Sequence, residues 1–216
     1  MCSSDLSRSE TTRPAPQLYL MTPPFADPSA LLDQLAAALA ANDVAAVLVQ
    51  LAPADERTLI NRIKALAPTV QDRGAALVID GHPEVVARAG ADGAHLSGSA
   101  ALVSAIPSLK PQRIAGAGDL RTRHDAMTAA EAGADYVMFG EPDSDGRRPS
   151  FTAVIERVAW WYELFEIPCV AYTERFDEMG ALCKAGADFI AIGGPAFADP
   201  RGCAAALAEA RLGIPA

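Results

Sequence analysis

The stretches AGADGAHL at residues 89–96, AGADYVMFG at 132–140 and AGADFIAIGG at 185–194 decide the fold. In each, an alanine-rich segment stops at Gly90, Gly133 or Gly186, an Asp stands two residues later, and a short apolar run begins. Glycine just past a helix takes the left-handed conformation without a Cβ penalty, so each is read as the residue after a helix, and each apolar run as a buried strand. Asn42-Asp43 before VAAVLVQL is a fourth copy, with Asn expected in the same left-handed conformation. The positions 42, 90, 133 and 186 lie 48, 43 and 53 residues apart. At about 25 residues per βα unit, each interval holds two units. Four pairs make eight, and the expected fold is a (β/α)8 TIM barrel in one α/β domain.

The intervening strands fall where that count requires them: LYLMT from Leu18, ALVID from Ala76, RIAGAG from Arg113 and PCVAYT from Pro168. These runs do not alternate in polarity, as expected of parallel strands covered on both faces. Helices are expected over 28–41, 55–71, 83–89, 99–105, 122–132, 150–165, 177–185 and 200–211. An open doubly wound sheet is the rival architecture, but no G-x-G-x-x-G turn follows the first strand.

Composition narrows the function. Of 216 residues, 50% are hydrophobic and 21% charged, enough for one large core. Eighteen Lys and Arg against 27 Asp and Glu give a net charge of −9, which argues against nucleic-acid and anionic-membrane partners. Residues 1–16 are polar with Pro14 and Pro16 and are read as a disordered leader, the barrel filling 17–216. Cys2, Cys169, Cys183 and Cys203 lack C-x-x-C spacing and read as reduced thiols of a cytoplasmic protein. Trp160, Trp161 and Tyr162 cannot all face the barrel from one helix, so at least one is expected to be exposed or in a homo-oligomer interface.

In such a barrel the reacting groups sit where strands end. The candidates there are Thr22, Gln50, Asp80 to His82, His95, Gly118, Asp119, Gly140, Glu141, Arg147, Arg148, Thr173, Gly193 and Gly194. Gly193 and Gly194 let a ligand approach the backbone, and Pro195 suits the start of a short helix whose amides bind an anion. Thr173 is expected to add a hydroxyl to that phosphate site. His95, inside a short strand, reads first as a hydrogen-bonded core histidine. Asp92, Asp135 and Asp188 lie at strand starts, on the stability face, and His124 on a helix surface.

From Leu18 to Pro200 the chain resembles the thiamine phosphate synthase family, including its thiazole tautomerase branch. The resemblance is carried by LYLMT, VLVQL at 47–51, AGADGAHL, GADYVMFG and GADFIAIGGPAFADP at 186–200. It implies thiamine biosynthesis: a pyrimidine diphosphate joined to a thiazole phosphate, with diphosphate released and magnesium assisting. Gln50 matches the glutamine that contacts the pyrimidine. The Arg and Lys that follow it in the family fall on Ala52 and Ala54, and the two metal-binding carboxylates fall on Gly81 and Ala100. Arg148 stands for a lysine beside a proline, and no tautomerase histidine aligns after strand 5.

With those ligands missing, no metal site and no bound cofactor are expected, and the magnesium-dependent transfer is called into question. The expected ligand is a phosphorylated thiazole or related phosphate ester, with Gln50, His95, Glu141 and Arg148 binding substrate. Asp80, His82 and Arg148 are the candidate catalytic groups. Two alternatives stay open. One is a non-catalytic protein that binds thiazole phosphate or thiamine phosphate. The other is an isomerase of a small phosphate ester that uses Asp80, His82 and His95 as acid and base.

Overall fold

The computed structural model describes residues 14–143 and 145–214. Eight parallel strands close a barrel in chain order. They are β1 (Gln17–Met21), β2 (Val44–Val49), β3 (Ala76–Asp80), β4 (Gly93–Ser97), β5 (Ile114–Gly118), β6 (Tyr136–Phe139), β7 (Cys169–Thr173) and β8 (Phe189–Ile192). Between them run α1 (Ser29–Ala41), α2 (Glu56–Gln71), α3 (Val86–Ala89), α4 (Ser99–Leu109), α5 (Arg123–Glu131), α6 (Phe151–Leu164) and α7 (Met179–Ala185). The short α8 (Gly194–Ala198) and the closing α9 (Cys203–Leu212) follow β8. The leader expected over 1–16 lies outside the described residues up to residue 13, and 14–16 carry no regular structure. Among the described residues no helix is long and apolar enough to cross a membrane.

The runs without polarity alternation hide a structural one. Along β1, Leu18 and Leu20 join the layer between barrel and helices, whereas Tyr19 and Met21 join a second cluster with Ala46, Leu48, Val78, Tyr136, Met138, Val170, Tyr172 and Ala191. That second cluster fills the barrel interior. Side chains alternate between two apolar layers, so sequence polarity cannot reveal the pleat.

The repeat closes the barrel at its lower end. Gly90, Gly133 and Gly186 have φ of 77°, 98° and 98°, the left-handed conformation expected of them. The Asp two residues on stitches its strand start to the preceding strand. Asp92, Asp135 and Asp188 each accept the amide at the start of that strand, from Leu77 at 2.7 Å, Ala115 at 2.7 Å and Cys169 at 2.8 Å. Asn42 departs from the expectation. Its backbone is extended, with φ −138°. Its side-chain amide instead donates to Ala38 O at 3.0 Å and Ala204 O at 3.2 Å, so the side chain satisfies the helix end that a left-handed residue would otherwise close.

Of the three consecutive aromatics on α6, Trp161 is buried, Trp160 is partly buried under the Arg123 guanidinium, and Tyr162 is the exposed one. Tyr162 packs over Gly186, where any added Cβ would strike its ring.

Candidate functional site

At the C-terminal ends of the strands lies a cavity of about 390 Å³. It is lined by Met21 and Leu48 from β1 and β2, by Gln50, Asp80, His95, Ser97 and Asp119 at the ends of β2 to β5, and by Glu141, Pro142 and Asp143 after β6. Five of the sequence candidates, Gln50, Asp80, His95, Asp119 and Glu141, therefore share one mouth. Thr22 positions Gln50: its hydroxyl accepts the Gln50 amide at 3.1 Å, and its own amide donates to Leu48 O at 2.9 Å. The Gln50 side chain then donates from Nε2 to Asp80 at 3.2 Å, which leaves its carbonyl oxygen as an acceptor.

Below Asp80 runs a buried polar chain that sequence reading missed. Tyr19 and Tyr136 hydroxyls are 2.8 Å apart, and Tyr136 Oη lies 2.9 Å from His95 Nδ1. Gly116 makes the chain possible, because a Cβ there would sit 2.1 Å from the Tyr136 ring. Burial lowers the His95 pKa, opposed by the Asp80 charge, and raises the Tyr136 hydroxyl well above its ordinary value. His95 is thus both the core histidine expected and a wall of the mouth. Its Nε2 faces Gly118, where an added Cβ would lie 2.4 Å from Nε2 and 2.4 Å from Glu141 Oε1.

Glu141 is the most perturbed acid at the mouth. Burial pushes its pKa up to about 7, against the opposing pull of the Asp119 amide, which donates to Oε1 at 2.5 Å. Among the described residues its buried Oε2 has no hydrogen-bond partner. Asp119 itself has φ 47°, and His82 has φ 50°. Non-glycine residues held there concentrate at functional sites.

Other candidates stand outside the mouth. His82 turns its Nδ1 to Glu84 at 3.1 Å and is 40% exposed, so it does not join Asp80 and His95. Arg147 and Arg148 line a neighbouring cavity of about 280 Å³, together with Asp119, Arg121, Glu141 and Arg157. Arg148 donates to Gly140 O at 3.0 Å and Tyr172 O at 3.3 Å, and pairs with Glu174 at 3.4 Å. Thr173 is fully buried, and its hydroxyl is occupied by Glu178 at 2.5 Å and the Arg175 amide at 3.0 Å, closing the turn after β7. Gly193 and Gly194 do form the turn into α8. Gly194 is exposed, with open space where a Cβ would stand. Pro195 offers no amide, however, and the Ala196 amide is taken by Gly193 O at 3.0 Å.

The residues present do not fit the magnesium that the resemblance implies. Gly81 has no side chain, Ala100 lies exposed on the first turn of α4, and magnesium demands hard oxygen ligands. Among the described residues, no group of three or more His, Cys, Asp or Glu is arranged to hold a metal ion.

Comparison with known proteins places this barrel. The family model described as thiamine monophosphate synthase matches residues 18–194. The thiamine-phosphate synthase of Rhodospirillum centenum is 39% identical over 201 residues, covering 89% of this chain and 95% of that one. The thiamine-phosphate synthase of Hyphomonas neptunium is 34% identical over 203 residues, covering 90% and 92%. Among solved structures, thiamine phosphate pyrophosphorylase from Pyrococcus furiosus superimposes with a TM-score of 0.73 at 23% identity, covering 91% and 94% of the two chains. The (S)-3-O-geranylgeranylglyceryl phosphate synthase of Thermoplasma acidophilum follows at 0.68 and 16%, covering 92% and 93%, a likeness of fold.

Proposed function

This chain belongs to the thiamine monophosphate synthase family, and on that premise we propose that it is a thiamine phosphate synthase-like protein of thiamine biosynthesis. Its mouth binds a phosphorylated thiazole or a related phosphate ester, and its magnesium-dependent condensation is weak. One observation carries this reading: Gln50, the residue the resemblance assigns to the ring, is present at the mouth, and the positions it assigns to metal and diphosphate are replaced. Gln50 and Asp80 are hydrogen-bonded to each other in the mouth, while Gly81, Ala100, Ala52 and Ala54 supply neither carboxylate nor cation.

The electrostatics agree. Among the described residues, the mouth is lined by Asp80, Asp119, Asp143 and Glu141 without a Lys or Arg. Such a wall stabilises positive charge on a bound ring and disfavours a diphosphate leaving group, which needs cations to carry its charge. Arg148 is the cation at the family's lysine position, and it is already engaged by two carbonyls and Glu174. Gly193 and Gly194 are the proposed backbone contacts for the phosphate of the ester, because the exposed Gly194, with no side chain, admits close approach to the turn above the buried Gly193.

Thermal shift with thiazole phosphate, pyrimidine diphosphate and thiamine phosphate, each with and without magnesium, tests the reading. A ligand at a hundredfold excess over its Kd stabilises the fold by about 2.7 kcal/mol. The expected result is stabilisation by thiazole phosphate or thiamine phosphate that magnesium does not change. The absence of a shift with all three would overturn it.

A further inference from the structure

Carboxyls dominate the polar lining of the mouth, with the Ser97 hydroxyl, the His95 ring and the Gln50 amide beside them. The apolar wall is Met21, Leu48 and Pro142, a surface suited to a flat ring. Facing that wall are acceptors: the free carbonyl of Gln50 and the carboxyls of Asp80, Asp119, Asp143 and Glu141. Among them Glu141 is distinctive. Oε1 is fixed by the Asp119 amide, and the buried Oε2 has no partner among the described residues. A buried polar atom left unsatisfied destabilises the site, and a ligand that supplies the partner removes that penalty.

Resting on the ligand-binding reading above, we propose that Glu141 determines which ring substituent the mouth accepts. As a carboxylate its free oxygen accepts a hydrogen bond from an exocyclic amino group; as a carboxylic acid it donates one to an oxo group. Because Oε1 is held by an N–H donor, the proton of the acid form belongs on Oε2, the oxygen left for the ligand. One proton therefore reverses the polarity of the contact.

The surroundings make the switch operate near neutrality. The groups that face Glu141 are Asp119 from the end of β5, His95 from β4, Tyr136 from β6, Tyr172 from β7 and Arg157 from α6, with Asp80 and Asp143 across the cavity. Burial and the Asp119 charge hold the proton on, Arg157 opposes them, and the balance falls at about 7. Burial lowers the His95 pKa, against the Asp80 charge, so its ring favours the neutral form more than a free histidine does.

Thiamine phosphate carries an amino group on its pyrimidine, and oxythiamine phosphate carries an oxo group in its place. Their dissociation constants, measured calorimetrically at pH 6 and pH 8, give a ratio in which titration of the common phosphate cancels. The expected result is a preference for the amino ligand at pH 8 that falls at least tenfold at pH 6. In Glu141→Gln, where the amide nitrogen replaces Oε2 as a fixed donor, the oxo ligand is favoured at both pH values. A wild-type ratio that does not move with pH overturns the inference even if the variant fails to fold. So does a Glu141→Gln protein that keeps the amino preference; in both cases binding of the two phosphates leaves the ligand-binding reading standing. Failure of both ligands to bind the folded wild type overturns that reading, and this inference with it.

Discussion

The Tyr136 hydroxyl stands 2.9 Å from Nδ1 of His95 and 2.8 Å from the Tyr19 hydroxyl, so one side chain from β6 ties β4 to β1 through the middle of the barrel. Removing it leaves two buried groups without their partner. Tyr136→Phe is expected to cost about 1–3 kcal/mol, and Tyr19→Phe less, because His95 then keeps its bond. Urea unfolding of both variants measures the difference. Equal losses would mean that the His95 contact contributes nothing to stability.

Glu141 and His95 shift stability with pH in opposite directions. The Glu141 pKa is raised from 4.5 to about 7, so the folded state binds the extra proton, and the stability it contributes is present below pH 4.5 and lost as pH rises to about 7. The His95 pKa is lowered below 6.5, so its contribution is present above that value and lost as pH falls toward its folded pKa. Glu141→Gln isolates the first. The variant is expected to exceed wild type at pH 8 by up to about 3 kcal/mol, with the gap closing toward pH 5. Denaturation midpoints at the two pH values read this directly, and a constant gap contradicts it.

Gly118 leaves the space that the His95 ring and the Glu141 carboxyl occupy. A Cβ there would lie 2.4 Å from an atom of each. Gly118→Ala is expected to cost about 1–3 kcal/mol and to weaken ligands of the mouth at least tenfold. Unchanged ligand affinity in the folded variant would remove both side chains from the binding wall.

At the opposite end, Asp92→Ala removes the acceptor of the Leu77 amide and of Gln71 Nε2, at 2.7 Å and 3.0 Å. Stability is expected to fall by about 1–2 kcal/mol with ligand affinity unchanged, because the residue lies on the face away from the mouth. Loss of affinity at full stability would contradict this division of the barrel.

The barrel was legible because its repeat has a conformational cause: three glycines at positive φ and three aspartates that each accept a strand amide. Asn42 misled as to conformation, since an amide side chain can close a helix end from an extended backbone. Reading strand ends located Gln50, Asp80, His95 and Glu141 in what is one cavity. It could not separate His82, whose ring turns to Glu84, or show that the Thr173 hydroxyl is taken by Glu178. Tyr19 and Tyr136 escaped it because both layers beside a barrel strand are apolar. Which tyrosine points inward is set by register, and no polarity pattern records it.

We propose that the mouth keeps its ring-binding residues while the metal and diphosphate residues are lost. The most direct test is the rate of thiamine phosphate formation from pyrimidine diphosphate and thiazole phosphate, with magnesium and with a chelator. Wild type is compared with a variant carrying Gly81→Asp, Ala100→Asp, Ala52→Arg and Ala54→Lys. Gly81 has φ 68°, a conformation that Asp tolerates better than most residues, and Ala100 lies exposed, so both carboxylates can be accommodated. Slow formation by wild type that chelation leaves unchanged, and a faster, chelation-sensitive rate in the fourfold variant, are expected. Rapid formation by wild type that stops on chelation would contradict the proposal.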